Sequence, residues 1–72
     1  MQEKQYANEL FKKYYKLIGS KLYASKCAIN DVENTIDALR KINTESLFID
    51  DFIHNEIIYY KNVLQILKSN GR

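Results

Sequence analysis

Apolar residues recur three and four positions apart along almost the whole chain, the period of an α-helix with one buried side. Ala7, Leu10, Phe11, Tyr14, Leu17 and Ile18 carry the pattern first. Lys12, Lys13 and Lys16 crowd the last turns of that segment, where cations meet the negative end of the helix dipole. Gly19 supplies a residue able to take the left-handed conformation that ends a helix, and Ser20 a cap for the next. Helix 1 is thus predicted over about 3–18.

Leu22, Ile29, Val32, Ile36 and Leu39 then fall on one heptad seam, broadened by Ala28, Thr35 and Ile42, while Asp31, Glu33, Asp37, Arg40 and Lys41 take the outer face. This predicts helix 2 over about 21–42. Asn43-Thr44-Glu45-Ser46 breaks the pattern with several capping side chains. Helix 3, over about 47–69, carries Phe48, Ile49, Phe52, Ile53, Ile57, Tyr60, Val63, Leu64 and Leu67, has Asp50 and Asp51 near its positive end, and frays at Ser69-Asn70-Gly71. There is no proline, and Gly19 and Gly71 are the only glycines, so nothing interrupts the helices.

The expected fold class is all-α: one helical domain over 1–72, with a short basic helix 1 and a long antiparallel helix 2/helix 3 hairpin, packed into a helical homo-oligomer. The oligomer is expected on two grounds. A chain of 72 residues builds only a marginal core and needs a further source of stability. Its one cysteine, Cys27, excludes an internal disulfide, and Cys27 with the single His54 makes a poor zinc set. The apolar stripe of helix 3 also covers more than half its circumference, too wide for two neighbours, so part of it should pack on another subunit.

Composition adds that the chain should fold, being 46% hydrophobic and 28% charged. No apolar run approaches the length of a membrane span, and Met1-Gln2-Glu3-Lys4-Gln5 lacks the profile of a signal peptide. A cytoplasmic protein with no membrane partner is expected. Net charge is +2, concentrated in helix 1, whereas the segment after Asn43 is net acidic. Duplex DNA is a poor partner for so small a charge, because phosphate neutralisation supplies most of the affinity for it.

Several constellations have ordinary explanations. Asp50 and His54, one turn apart beside Asp51, have metal-ligand spacing but too few ligands, and read as a solvated pair. Cys27 follows Lys26 but has no histidine near it in sequence, and reads as a small buried thiol. Asp31, Glu33 and Asp37 read as a solvated face, with Lys41 one turn beyond Asp37. There is no phosphate-binding glycine loop or nucleophile elbow. No enzyme, metal or cofactor is expected.

The tyrosines are different. Tyr-Tyr-Lys occurs twice, at 14–16 and 59–61, and the six tyrosines lie among Lys12, Lys13, Lys16, Lys26 and Lys61. Aromatic faces stack on bases while lysines meet phosphates, which suits single-stranded or cyclic nucleotides. The competing reading is interface packing, where a tyrosine buries its ring and keeps its hydroxyl wet. Tyr14 and Tyr60 fall on the apolar stripe, leaving Tyr15 and Tyr59 as the outward members. The candidate ligand set is Lys12, Lys13, Tyr15, Lys16, Tyr23, Lys26, Tyr59 and Lys61.

The strings Ala7-Asn8-Glu9-Leu10-Phe11-Lys12-Lys13-Tyr14-Tyr15, Ser25-Lys26-Cys27-Ala28-Ile29-Asn30-Asp31-Val32-Glu33-Asn34-Thr35-Ile36 and His54-Asn55-Glu56-Ile57-Ile58-Tyr59-Tyr60-Lys61-Asn62-Val63-Leu64 resemble a family of small helical proteins of the Bacteroidota and their bacteriophages. That family shares an AKELFxKYY opening, a KxCAxxxVxxxI middle helix and an aromatic pair in its closing helix. The resemblance spans nearly the whole chain and implies a phage origin, but supplies no active site. Phage proteins of this size include the cyclic-nucleotide sponges that block CBASS or Thoeris signalling, an analogy of size and helicity. The function expected is therefore capture of a cyclic nucleotide immune signal between subunits, with Lys12, Lys13, Lys16 and Lys61 on phosphates. The alternative is a protein-binding module that docks the apolar face of helix 3 on a host defence or phage protein, and a third reading is single-stranded nucleic-acid binding through helix 1.

Overall fold

The structure, a computed structural model, describes residues 2–42 and 47–70, leaving aside the side chains of Leu47, Phe48 and Asn70. The fold is all-α. Among the described residues there are three helices and no strand: α1 (Gln2–Ile18), α2 (Lys21–Lys41) and α3 (Leu47–Asn70). These bounds follow the sequence pattern closely. The expected break at Asn43-Thr44-Glu45-Ser46, and Gly71, lie outside the described residues.

The α1–α2 connection forms for the reasons the sequence supplied. Gly19 has φ +77° and its N–H reaches the Tyr15 carbonyl at 2.8 Å, satisfying a carbonyl left open by the last turn of α1. Ser20 is extended, and its hydroxyl accepts from the Tyr23 N–H at 3.4 Å. Two residues thus reverse the chain, and α2 returns along α1. Each helix packs on both others in a bundle 44 × 23 × 17 Å.

The core is a narrow stack of Ala7 and Leu10 from α1, Ala28, Val32 and Ile36 from α2, and Val63 and Leu67 from α3. Three alanines in this stack or flanking it, Ala7, Ala24 and Ala28, are wholly buried, so the backbones approach closely. Fully burying a Val or Leu is worth about 1.5–3 kcal/mol, and few side chains are buried so completely here. The core is small, as the chain length implies.

The apolar pattern overstated the core at its ends. Leu17, Ile18 and Leu22 were expected on buried stripes but are 74%, 43% and 56% exposed, because the stripes run into the α1–α2 turn, past the last buried layer. Ile42, Ile49 and Phe52 are exposed at the opposite end. There α1 stops short: Tyr59 donates its hydroxyl to the carbonyl of Gln2, the first residue of α1, so the first turns of α3 run on past it. The wide stripe of α3 is therefore left partly uncovered, as expected. No described helix is long and apolar enough to cross a membrane.

Candidate functional site

The candidate residues divide between different parts of the surface. Lys12, Lys13, Tyr15 and Lys16 are all exposed on the last turns of α1. Lys12, Tyr15 and Lys16 join Phe11 and Lys21 around one open depression. The Phe11 and Tyr15 rings lie one turn apart on α1, centroids 6.0 Å apart and planes tilted by 33°. Lys12, Lys13 and Lys16 also border a second depression with Glu9 and Leu17. Lys13 places its ammonium 5.4 Å from the Tyr14 ring centroid.

Tyr23 and Lys26, both exposed at the start of α2, pair with each other, the Lys26 ammonium standing 5.8 Å from the Tyr23 ring centroid. A cation held over an aromatic face is attractive. Lys61 belongs elsewhere: it lines a depression between α2 and α3 with Arg40, Asn30, Asn34, Glu33 and Asp37. Two carboxylates there oppose the two cations, so that depression is poorly suited to an anion.

Tyr59 does not lean outward. It is half-buried in a triangle of edge-on rings, 6.2 Å from Tyr6 and 5.2 Å from Tyr60, with Tyr6 and Tyr60 5.9 Å apart. Edge-to-face contact sets the positive rim of one ring against the negative face of another. The triangle fastens α1 to α3, which is why both members of the second tyrosine pair turn inward. Burial raises the Tyr59 hydroxyl above its ordinary pKa, helped by Glu3 and Tyr60, and raises Tyr6, helped by Tyr60 and Asp31.

Asp31 is also misplaced by the sequence pattern, which put it on a solvated face. It is half-buried and accepts a hydrogen bond from the Tyr14 hydroxyl at 3.0 Å. That bond, with burial next, raises the Tyr14 pKa above its ordinary value. Asp50 and His54 are solvated as expected, and Cys27 is only half-buried. Among the described residues no group of His, Cys, Asp and Glu is placed to hold a metal.

Phe11 and Lys21 are the site-lining residues that sequence reasoning missed. Phe11 sits on the apolar period and reads as core, yet it is only half-buried and lines the depression. Lys21 comes close only because the two-residue turn brings the start of α2 beside the end of α1. Compared with known protein families, curated proteins and solved structures, the chain matches none.

Proposed function

We propose that this chain is a non-enzymatic binding protein whose α1–α2 end captures a small anionic nucleotide. The observation that carries this reading is the depression where the Phe11 and Tyr15 rings are walled by Lys12, Lys16 and Lys21. A base stacks against the Tyr15 ring while the ammonium groups meet phosphate oxygens, a pairing that tolerates any base. A cyclic dinucleotide fits the need for two phosphates near one aromatic surface. In the phage setting that the resemblance implies, such capture would withhold a signalling nucleotide from the host's defence. Isothermal titration with a panel of cyclic di- and trinucleotides tests it: binding is expected to weaken at least tenfold in Lys12→Ala/Lys16→Ala and in Tyr15→Ala. Silence across the panel overturns the reading.

A second reading is favoured by a different observation. Phe52 and Ile58 on α3 are 62% and 45% exposed, and exposed large apolar groups of this kind mark protein contacts. In this reading the chain docks on another protein through α3.

A further inference from the structure

The two ends of the bundle are alike in one respect and opposite in another. The α1–α2 end exposes Leu17, Ile18, Leu22 and Tyr23. Around them stand Lys12, Lys13, Lys16 and Lys21, with Glu9 the one nearby acid in the depressions they line. The other end exposes Phe52 and Ile42. There Asp50 and Asp51 are exposed and Glu56 is half-exposed on α3, while the last turn of α2 carries the exposed Arg40 and Lys41. The end of α2 and the start of α3 share this end, since five intervening residues hold them within about 22 Å. The long axis of 44 Å therefore separates an apolar basic end from an apolar end whose α3 tip is acidic.

We infer that the chain associates head to tail, the Phe52–Asp50–Asp51 tip of one copy seating on the Leu17–Leu22 end of the next, ringed by its lysines. Charge complementarity selects this arrangement. Pairing two basic ends sets four lysines against four, whereas the head-to-tail contact sets the carboxylates of the α3 tip against those lysines. One repeated contact also covers both apolar ends, where a two-fold pairing covers only one. Such a heterologous contact closes into a ring if its rotation allows, and otherwise extends as a filament. The next copy's acidic tip and an anionic nucleotide both draw on Lys12 and Lys16, so the two compete, and the assembly is to be measured without nucleotide.

Sedimentation velocity on the full chain, at low and high salt, is the test. Species larger than one chain should grow with protein concentration and shrink as salt screens the lysines. Leu17→Asp and Phe52→Asp each remove one end, and both replace exposed residues, so circular dichroism should show helicity unchanged. Each variant alone is expected to stay monomeric. Mixed in equal amounts they should form a heterodimer and nothing larger, since one intact tip remains to meet one intact basic end. The inference is overturned by a chain that is monomeric at every concentration, by a mixture that stays monomeric, or by a dimer that survives Leu17→Asp and is lost only in Phe52→Asp. The last outcome would mean that two tips pair with each other.

Discussion

Tyr14 on α1 donates its hydroxyl to Asp31 on α2 at 3.0 Å, a charge-assisted bond between helices joined by only two residues. It fixes how far α1 can rotate about its own axis, and hence which way Tyr15 and Lys16 face. Asp31 also anchors its own helix, its carbonyl accepting from the Thr35 hydroxyl at 3.0 Å. Tyr14→Phe should keep the ring packing and lose the bond. The expected result is a modest fall in melting temperature with unchanged helicity.

Alkaline pH should act through the same tyrosines. Tyr6, Tyr14 and Tyr59 all hold their protons more tightly when folded than their ordinary pKa of 10.0 allows. A group whose folded pKa is raised contributes stability that is fully present below its unfolded pKa and is lost as pH rises through the folded one. Their contribution is therefore constant at neutral pH and disappears above pH 10. Urea denaturation followed against pH should show that decline. Ultraviolet titration of tyrosinate should show a component that ionises later than the ordinary value, and the absence of any late component would contradict this.

Leu67 is 2% exposed and sits in the shared core of all three helices. Truncating a buried Leu to Ala costs about 2–5 kcal/mol, and a core of this size rarely supplies more than about 3–5 kcal/mol in total. Leu67→Ala should leave much of the chain unfolded at room temperature. Far-ultraviolet circular dichroism would show it. The exposed Ile58→Ala on the same helix should change little.

Gly19 offers a cleaner backbone experiment. Its φ of +77° disfavours any side chain, but a Cβ built there meets nothing within 4 Å. Gly19→Ala should therefore carry only the left-handed strain, about 1–2 kcal/mol. Gly19→Asn should cost less, because asparagine tolerates that conformation. Equal losses in the two variants would show that something other than backbone conformation sets the cost.

The second tyrosine pair separates packing from hydrogen bonding. The Tyr59 hydroxyl makes a long contact of 3.5 Å to Gln2, whereas the ring has two edge-on neighbours. Tyr59→Phe should be nearly neutral in thermal melts. Tyr59→Ala should lose two ring pairs, about 1–3 kcal/mol at roughly 0.5–1.5 each.

The three helices, the Gly19 stop and the Ser20 cap were legible in the sequence because each rests on local chemistry. Leu17 and Leu22 were misread because periodicity tells which side of a helix an apolar residue lies on, not whether a neighbouring helix extends far enough to cover it. Asp31 and Tyr59 were misread for a related reason. Each is a polar group whose partner, Tyr14 or Tyr6, comes from another helix whose rotation only the packed bundle determines. Of the candidate ligand residues, Lys12, Tyr15 and Lys16 converge because neighbouring turns of one helix hold them. Lys61 sits apart, since repeating a tripeptide along the chain does not bring its copies to one surface.

The two-residue Gly19-Ser20 turn also bears on how quickly this protein assembles itself. With α1 and α2 joined so closely, their contacts close short loops at little entropic cost, and helical chains dominated by near neighbours fold fast. The contacts of α1 with α3 are the exception, among them the tyrosine triangle that links Tyr6 to Tyr59 and Tyr60 across most of the chain. The α1–α2 hairpin can then form first and wait for α3 to arrive. On that order of events, altering Tyr59 should quicken unfolding and leave the folding rate almost untouched.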